Sequence, residues 1–312
     1  MLLDAAFAGS IPATYEECLV PVLFVPYAED LVARAARLAP KRVLELAAGT
    51  GVVSHLLAQA LGKTSIVATD LNPAMLAIAA ALGSPPNLTF EPADAQALPF
   101  ADHAFDLVLA QFGAMFFPDK VGAYREARRV LAPGGTLLFN VWDRLERNSG
   151  SAAIHHAVRE ALPEPKPAFI ARTPFGYNDP AAIEAELRQA GFAQVEIEQV
   201  AFVTPPGCAA RLARGMLLGS PLANELAAHP ADLREAALAA ATAAAEQAEA
   251  AGGMTMSALV IAASSLASGL PSSMPRARRA AQPGGLTNAT CSISTRAKPA
   301  WRSSASIAAG SL

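Results

Sequence analysis

The chain contains 312 residues, of which 53% are hydrophobic, and its 24 Lys and Arg against 27 Asp and Glu give a formal net charge of −3. This near-balance argues against a dedicated nucleic-acid-binding protein, which usually carries a basic excess. The charges are unevenly distributed, because residues 1–264 hold all 27 acidic residues, whereas 265–312 hold basic residues and no acidic one. We therefore predict one acidic domain over 1–264 and a basic, Ser/Ala/Arg-rich tail over 265–312, which is disordered by composition.

The sequence contains few signals of a cellular compartment or of association with a membrane. Its three cysteines, Cys18, Cys208 and Cys291, have neither metal-ligand nor redox spacing. The amino terminus lacks the basic lead-in of a signal peptide. An uncharged run over 250–275 is interrupted by glycine, proline and serine, so a buried strand is favoured over a membrane span. We expect a cytoplasmic protein with no membrane span and no metal site.

Short apolar strands alternate with helical patterns from residue 41 onward. Strands are predicted at 43–46, 65–69, 88–90, 105–110, 136–142, 195–203 and 258–263. Helices are predicted at 52–61, from Asn72-Pro73, at 121–130, and from Asp179-Pro180 to Gly191. Pro133-Gly134-Gly135 is predicted to be a turn before the fifth strand. The pattern indicates an α/β fold with a doubly wound, mainly parallel seven-stranded sheet.

Two stretches depart from this alternation. Residues 144–178 are rich in proline around 163–167 and contain one short helical pattern, and residues 205–252 are rich in alanine and helical in pattern. Insertions at the carboxyl ends of strands often cover a ligand site. We interpret both stretches as helical lid insertions.

Glycines mark the junction between the first strand and the first helix after it. Gly49 and Gly51 allow close approach of a ligand to the backbone, and the helix that follows offers free N–H groups. Asp70 follows Gly51 by 19 residues and ends the second strand, where a carboxylate can accept hydrogen bonds from both ribose hydroxyls. This arrangement favours a nucleoside-containing ligand.

Two further carboxylates refine the ligand class. Glu45 lies within the apolar first strand, where it would repel a pyrophosphate and attract a cation. Asp94 follows the third strand and can accept a hydrogen bond from an adenine amine. Three acids at the ends of three consecutive strands suit a cationic, amine-bearing adenosine.

With these residues the sequence resembles the class I S-adenosylmethionine-dependent methyltransferases. The matching segments are VLELAAGTG (43–51), VATDLNPAML (67–76), PADAQALPF (92–100), FDLVLAQFGAMFF (105–117) and RVLAPGG (129–135). The likeness is strongest to the small-molecule branch, methyltransferase type 11, which includes the ubiquinone and menaquinone C-methyltransferases. It implies a Rossmann-like methyltransferase fold, S-adenosyl-L-methionine as cofactor and a small-molecule methyl acceptor.

The resemblance also implies roles for single residues. Glu45 would bind the methionine ammonium, and Asp70 the ribose hydroxyls. The other implied cofactor contacts are Ala47, Gly49 and Gly51 along the methionine and ribose, Leu71, Met75, Asp94 and Ala95 around adenine, and Gln111 with Phe112 near the transferred methyl group. Many members of the family carry glycine at the position of Ala47.

The catalytic residues are not identified by any motif. In-line displacement on a methyl sulfonium requires alignment and exclusion of water, and a general base only if the acceptor atom holds a proton. Tyr15, before the predicted first helix, could fold over the cofactor, and Asp143 and Tyr177 could line the acceptor pocket. His155 is a candidate base, although adjacent His155 and His156 cannot both face the site.

Two other functions remain open from the sequence. A nicotinamide-dependent oxidoreductase would use the same glycine turn, but it lacks the third glycine, at Ser54, and does not explain Glu45. A cofactor-binding protein without transfer activity would share the motifs. The sequence names neither the acceptor nor the methylated atom, and it leaves the oligomeric state open.

Overall fold

The computed structural model describes residue 4 and residues 6–265, so the predicted tail lies outside the described residues except for Ser265. Within that range the chain forms seven strands. They are β1 (Arg42–Leu46), β2 (Ser65–Asp70), β3 (Leu88–Pro92), β4 (Phe105–Gln111), β5 (Leu131–Trp142), β6 (Gln194–Val203) and β7 (Thr255–Ser264). All seven predicted strands are therefore present.

The strands form a single sheet in the order β3-β2-β1-β4-β5-β7-β6. The pairs β1–β2, β2–β3, β1–β4 and β4–β5 are parallel, whereas β7 is antiparallel to both β5 and β6. This confirms the doubly wound, mainly parallel sheet. The chain reverses its winding direction between β1 and β4, and ligands in such sheets bind outside the carboxyl ends of the strands at that point.

Helices connect the strands and cover the sheet. They are α1 (Ile11–Thr14), α2 (Val25–Arg37), α3 (Val52–Ala60), α4 (Pro73–Ala81), α5 (Lys120–Val130), α6 (Ser149–Ala161), α7 (Phe169–Arg172), α8 (Pro180–Gln189), α9 (Ala209–Leu218), α10 (Leu222–Leu226) and α11 (Ala231–Ala250). Both predicted caps form, because the side chain of Asn72 accepts from the N–H of Ala74 and that of Asp179 from the N–H of Ala181. Helices α6, α7, α9, α10 and α11 arise from the two predicted insertions.

Two boundaries differ from the prediction. The helical segment begins at Ile11 and continues through a π-helix (Tyr15–Phe24) into α2, so Tyr15 lies inside it and does not precede it. Strand β5 begins at Leu131 and includes the glycines predicted as a turn. The register advances from Phe105↔Leu131 to Leu107↔Thr136, which is an irregularity that absorbs the extra residues within the strand.

The core lies on both sides of β1, β4 and β5. Leu44, Leu107 and Leu138 are fully buried at its centre, where parallel strands covered on both faces read as continuous apolar runs. Strand β6 is at the edge and is only partly buried, as its alternating sequence predicts. Among the described helices, none is both long and apolar enough to cross a membrane.

Candidate functional site

The turn after β1 is built from residues with left-handed backbone. Gly49 has φ +57° and Gly51 has φ +82°, and Ala47, which has a side chain, also has φ +51°. A left-handed conformation costs a non-glycine residue roughly 1–2 kcal/mol, a cost that glycine would avoid at position 47. A Cβ on Gly51 would lie 2.9 Å from the Cβ of Ala79 in α4. The turn therefore packs closely against the neighbouring β2–α4 unit.

Glu45 is a buried carboxyl at the carboxyl end of β1. Its side chain is 1% exposed and accepts a 2.5 Å hydrogen bond from the hydroxyl of Ser54 in α3. Burial raises the pKa of Glu45 to about 8, the Ser54 hydrogen bond opposes this rise, and the charge of Asp70 adds to it. A carboxyl in this state is mostly protonated at pH 7 and ionises readily when a cation approaches.

Asp70 joins the ends of two strands. Its Oδ2 accepts from the N–H of Gly49 at 2.8 Å, and its Oδ1 accepts from the N–H of Asn72 at 2.8 Å. Burial raises the pKa of Asp70, and the two backbone hydrogen bonds counteract this. A carboxylate has about four acceptor positions, so Asp70 retains capacity for further donors. The structure thus brings Asp70 and the glycine turn together, as their spacing predicts.

Asp94 follows β3, the strand next to β2, and so lies at the same edge of the sheet as Asp70. Its Oδ1 accepts from the backbone N–H of Gln96 at 2.9 Å and from the Gln96 side chain at 3.3 Å. Asp94 and Ala97 form an isolated antiparallel bridge, with Ala95 in the turn between them. The turn fixes the Asp94 carboxylate at the side of the sheet where Asp70 lies.

Two apolar side chains, Leu71 and Met75, follow Asp70 in sequence. Leu71 follows Asp70 directly and is 68% exposed, which is unusual for a large aliphatic side chain next to buried polar groups. Met75 is buried in α4, and its Cε would contact a Cβ on Gly49 at 3.5 Å. Leu71 and Met75 therefore provide apolar contacts beside the glycine turn.

The loop after β4 completes the site from the other side of the switch point. Gln111 ends β4, and Phe112 follows it with φ +49°. Two groups of Asn140 hold this strained residue, because the N–H of Phe112 donates to the Asn140 backbone oxygen at 3.2 Å and to its side-chain oxygen at 2.9 Å. Next to it, a Cβ on Gly113 would lie 2.5 Å from the Cβ of Ala47. The two loops are therefore in direct contact.

Aromatic rings enclose the space above this loop. Phe112 stacks on Trp142 with ring centroids 3.9 Å apart, and Phe24 lies 5.6 Å from Phe112. Tyr15 stacks on Phe24 at 5.0 Å. Residues nine apart point to opposite sides of an α-helix, whereas a π-helix, with roughly 4.4 residues per turn, places them on one side. The π-helical geometry therefore aligns Tyr15 with Phe24.

Tyr15 lies close to the acidic end of the site. Burial raises the pKa of its hydroxyl, and the charges of Glu16 and Asp70 raise it further. The ring of Phe7 packs against Tyr15 edge-on at 5.9 Å. Tyr15 thus lies near enough to Asp70 for the charge of that carboxylate to act on its hydroxyl.

Asp143 and Tyr177, two other candidate catalytic residues, form hydrogen bonds away from the predicted cofactor residues. Asp143 accepts from the N–H of Arg144 at 2.7 Å and from the hydroxyl of Ser257 at 2.9 Å, and the second bond connects the end of β5 to β7. Tyr177 hydrogen-bonds to Glu186 in α8 and to the hydroxyl of Tyr124 in α5 at 3.0 Å. Both contact sets explain the position of the side chain without a ligand.

His155 is buried in α6. It lines a small space between helices together with Val158, Arg159, Pro167, Ile170 and Leu222. Burial lowers its pKa, as do the adjacent His156 and Arg159. The structure places His155 among the helices of the two insertions and does not bring it to Glu45 or Asp70. Among the described residues, no group of three or more His, Cys, Asp or Glu could hold a metal ion.

The segment before α1 contacts both α7 and the loop after β2. Asp4 pairs with Arg172 of α7 at 2.5 Å and accepts from the hydroxyl of Thr173 at 2.7 Å. Further along, the Asn72 side chain donates to the backbone oxygen of Phe7 at 2.7 Å. We call residue 4 together with residues 6–10 the strap. Its contacts reach α7 and Thr173 at one end and the loop that follows Asp70 at the other.

The sequence analysis did not predict a structural role for four residues of this region: Ser54, Gly113, Asn140 and Trp142. Ser54 occupies the third-glycine position of a dinucleotide motif, but its hydroxyl donates to Glu45. This pairing of an acid in a strand with a serine nine residues later is the one signal the sequence offered. The other three act through contacts between distant segments, which no local pattern encodes.

Comparison with known proteins finds similarity over the part of the chain that contains β1 to the start of β5. Residues 43–135 match a family model described as a methyltransferase domain. A demethylmenaquinone methyltransferase from Thermus thermophilus is 46% identical over 102 residues, which are 32% of this chain and 46% of that protein. An uncharacterized protein of Mycobacterium tuberculosis is 42% identical over 122 residues, which are 38% of this chain and 44% of that protein. The match thus covers less than half the length of these relatives.

Solved structures show the same fold. A phosphoethanolamine N-methyltransferase 2 of Haemonchus contortus in complex with S-adenosyl-L-methionine has a TM-score of 0.54 and 18% identity, over 85% of this chain and 59% of that one. A second structure of the Haemonchus enzyme, with S-adenosylhomocysteine, has the same TM-score and covers 60% of that chain. At this identity the likeness concerns the fold alone.

Proposed function

We propose that this protein transfers a methyl group from S-adenosyl-L-methionine to a small organic acceptor, as the match of residues 43–135 to a methyltransferase-domain model suggests. The observation that carries the proposal is the buried Glu45 carboxyl at the end of β1, beside Asp70 and the glycine turn. A buried acid is costly unless something compensates its charge. Its hydrogen-bond donor, Ser54, is neutral, and a cationic ligand would supply the compensation.

Further features of the site fit this cofactor. The hydroxyl of Thr50, inside the glycine turn, is buried without a hydrogen-bond partner among the described residues, and such groups usually have one. The exposed Leu71 side chain would gain a partner from a flat base. Both observations suit an adenosine held against the turn.

In this proposal each of the predicted cofactor residues has one role in binding. Glu45 binds the methionine ammonium and Asp70 accepts from the ribose hydroxyls, while Ala47, Gly49 and Gly51 provide the backbone surface along which the methionine and ribose lie. Around adenine, the apolar contacts come from Leu71 and Met75, and the polar ones from Asp94 and Ala95. Gln111 and Phe112 border the methyl group.

When bound, S-adenosylmethionine supplies an activated methyl group on a positively charged sulfur. The residues of this chain then have to align the acceptor and exclude water. Phe24, Phe112 and Trp142 provide a rigid apolar wall for this purpose. Tyr15 faces the acidic end of the site, and its high pKa keeps the hydroxyl neutral, so it would act as a hydrogen-bond donor and not as a base.

The strap and the lid helices enclose this site in our proposal. The strap is held at Arg172 and Thr173 on the lid and at Asn72 beside Asp70. Ligand entry and release would therefore require these contacts to open. Movements of this kind limit turnover in many enzymes.

The test is transfer of an isotopically labelled methyl group from S-adenosylmethionine by the full chain, using a fraction of small cellular metabolites as acceptor. We expect a labelled low-mass product and S-adenosylhomocysteine in equal amounts. Cofactor binding without any labelled product from broad acceptor mixtures would favour a non-catalytic cofactor-binding protein. Tight binding of NADH without binding of S-adenosylmethionine would favour the oxidoreductase.

A further inference from the structure

The hydroxyl of Ser54 contacts the Glu45 carboxyl from the first turn of α3. Ser54 is 0% exposed and Glu45 is 1% exposed, and the hydroxyl donates to Oε2 at 2.5 Å. No other hydrogen-bond donor reaches this carboxyl in the part of the chain that the structure describes. The Ser54 bond therefore determines how the acid is held before a ligand binds.

The position of Ser54 does not require a side chain for the turn to form. In dinucleotide-binding proteins with the same strand–turn–helix arrangement, a third glycine at this position lets the helix pack closely on the strand. Ser54 instead places a hydroxyl between α3 and β1. It lies three residues after Gly51, the cap of α3, where the free N–H groups of the helix carry the positive end of its dipole. Both the hydroxyl and the helix end favour an ionised carboxylate.

The backbone of Glu45 is fixed as well. Its ladder partners are Ala68 on β2 and Leu109 on β4, and its backbone oxygen accepts from the hydroxyl of Thr69 at 2.8 Å. The side chain is then left with its own rotations, and the Ser54 bond selects one of them. Because Ser54 binds Oε2, the second oxygen remains available for a donor on a ligand.

The charged and titratable groups around Glu45 do not replace Ser54. Burial and the charge of Asp70 both raise the pKa of Glu45. His55 faces α4, where its Nε2 lies 3.0 Å from a backbone oxygen. Tyr15, from the π-helix, stays neutral because burial raises the pKa of its hydroxyl, and the ladder partners on β2 and β4 carry no charge. Ser54 is therefore the side chain that opposes the effects of burial and Asp70.

We infer that Ser54 is a positioning residue that aligns the Glu45 carboxylate for the ammonium group of the cofactor and sets the pH range in which the cofactor binds. Without the hydroxyl, the buried carboxyl has no donor, so its ionised form becomes rarer at neutral pH. The ammonium requires that form. The inference rests on the proposed function, because it concerns the same site.

The test measures the affinity of S-adenosylhomocysteine by calorimetry, for the full chain and for Ser54→Ala, from pH 6 to pH 9. Loss of a hydrogen bond to an ionised group disfavours the ionised form about tenfold. Since the pKa of Glu45 is about 8 in the free wild type, we expect Ser54→Ala to bind about tenfold more weakly at pH 7 and about twofold more weakly at pH 9. The ammonium of the ligand titrates alike with both proteins and cancels from the ratio.

A purely structural effect of the substitution would have a different pH dependence. Loosening of the turn would weaken binding by the same factor at every pH, and that result would overturn the inference. Ser54→Thr keeps the hydroxyl, so it should restore the wild-type pH dependence even if its extra methyl group lowers the affinity. Thr64→Val, which removes a buried hydroxyl bound to Pro40 just before β2, should leave the affinity unchanged at every pH.

Proton release gives a second measurement, which does not depend on the absolute affinity. At pH 8 about half of Glu45 is protonated in the free wild type, and about nine-tenths should be protonated in Ser54→Ala. We therefore expect the variant to release about 0.4 proton more than the wild type when S-adenosylhomocysteine binds at pH 8. Equal release by the two proteins would contradict the role of Ser54.

Failure of the proposed function would look different. If the wild-type chain binds no S-adenosylhomocysteine at any pH from 6 to 9, the methyltransferase proposal itself fails. If S-adenosylhomocysteine binds but the loss in Ser54→Ala is the same at every pH, only the positioning role of Ser54 fails.

Discussion

The carboxylate of Asp70 accepts a 2.8 Å hydrogen bond from the backbone N–H of Gly49, and this contact joins the ends of β1 and β2. It places the glycine turn and the acid of the second strand in one rigid unit. Glu45 lies at the base of this unit, and its pKa is raised partly by the charge of Asp70. The site therefore holds two coupled acids before any ligand arrives.

Cofactor binding should release a proton. The pKa of Glu45 is about 8, so the group is protonated at pH 7 in the free protein, and a bound ammonium favours its ionised form. We expect S-adenosylhomocysteine to bind more tightly as pH rises from 6 to 8, with release of close to one proton at pH 7. Calorimetry in buffers of different ionisation enthalpy measures this release.

Glu45→Gln should abolish the proton release, and a release that persists in this variant would contradict the assignment. Glu29→Gln, on α2, is the control.

The same carboxyl should make stability depend on pH. Its folded pKa is raised above the unfolded value, so the stabilisation is full below about pH 4.5 and declines as pH rises to about 8. The slope is at most about 1.4 kcal/mol per pH unit. Glu45→Gln should flatten the profile and be more stable than the wild type at pH 8 without cofactor. Denaturant unfolding from pH 5 to 8 tests this, and parallel profiles for the two proteins would refute it.

A side chain at position 113 should be destabilising as long as position 47 is alanine. A Cβ at Gly113 would lie 2.5 Å from the Cβ of Ala47, so Gly113→Ala should destabilise the protein by about 1–3 kcal/mol. Ala47→Gly removes the clashing atom and relieves a left-handed alanine, so the double variant should recover most of the loss. Gly62→Ala is the control, because a Cβ there has open space. Strict additivity in the unfolding free energies would show that the two loops do not touch.

The strap should slow ligand release. Asp4→Asn and Arg172→Gln remove the ion pair that connects the strap to α7. A partly exposed pair is worth about 0.2–1 kcal/mol, so we expect S-adenosylhomocysteine to dissociate up to about fivefold faster. Stopped-flow displacement measures this rate. Arg188→Gln, which breaks the exposed Arg188–Glu184 pair on α8, should leave the rate unchanged. Equal rates in all variants would argue against a closing role for the strap.

Much of the fold follows from local sequence. Asn72 and Asp179 each cap a helix just before a proline, and both caps form where they are predicted. The continuous apolar runs of β1 and β4 specify strands buried on both faces. Strand β5 shows the limit of this reasoning, because Gly134 and Gly135 are usually turn residues yet fit an irregularity inside the strand.

The sequence predicted those parts of the candidate site that need only one residue type at the end of one strand. Glu45, Asp70 and the two glycines meet because the carboxyl ends of parallel strands lie at the same edge. Gly113 and Asn140 could not be found in this way. The tight packing of Gly113 depends on Ala47, and the role of Asn140 depends on the left-handed backbone of Phe112. Both depend on tertiary contacts between segments far apart in sequence.

The most direct test of the central claim is a calorimetric titration of the full chain with S-adenosylhomocysteine and, separately, with NADH. We predict binding of S-adenosylhomocysteine and no measurable binding of NADH. Asp70→Asn should weaken S-adenosylhomocysteine binding at least about tenfold, on the scale of a lost charge-assisted hydrogen bond. Asp106→Asn, whose carboxylate also accepts from two backbone N–H groups but at the opposite end of the strands, should leave it unchanged. Binding of NADH alone, or S-adenosylhomocysteine binding that is indifferent to Asp70, would contradict the account.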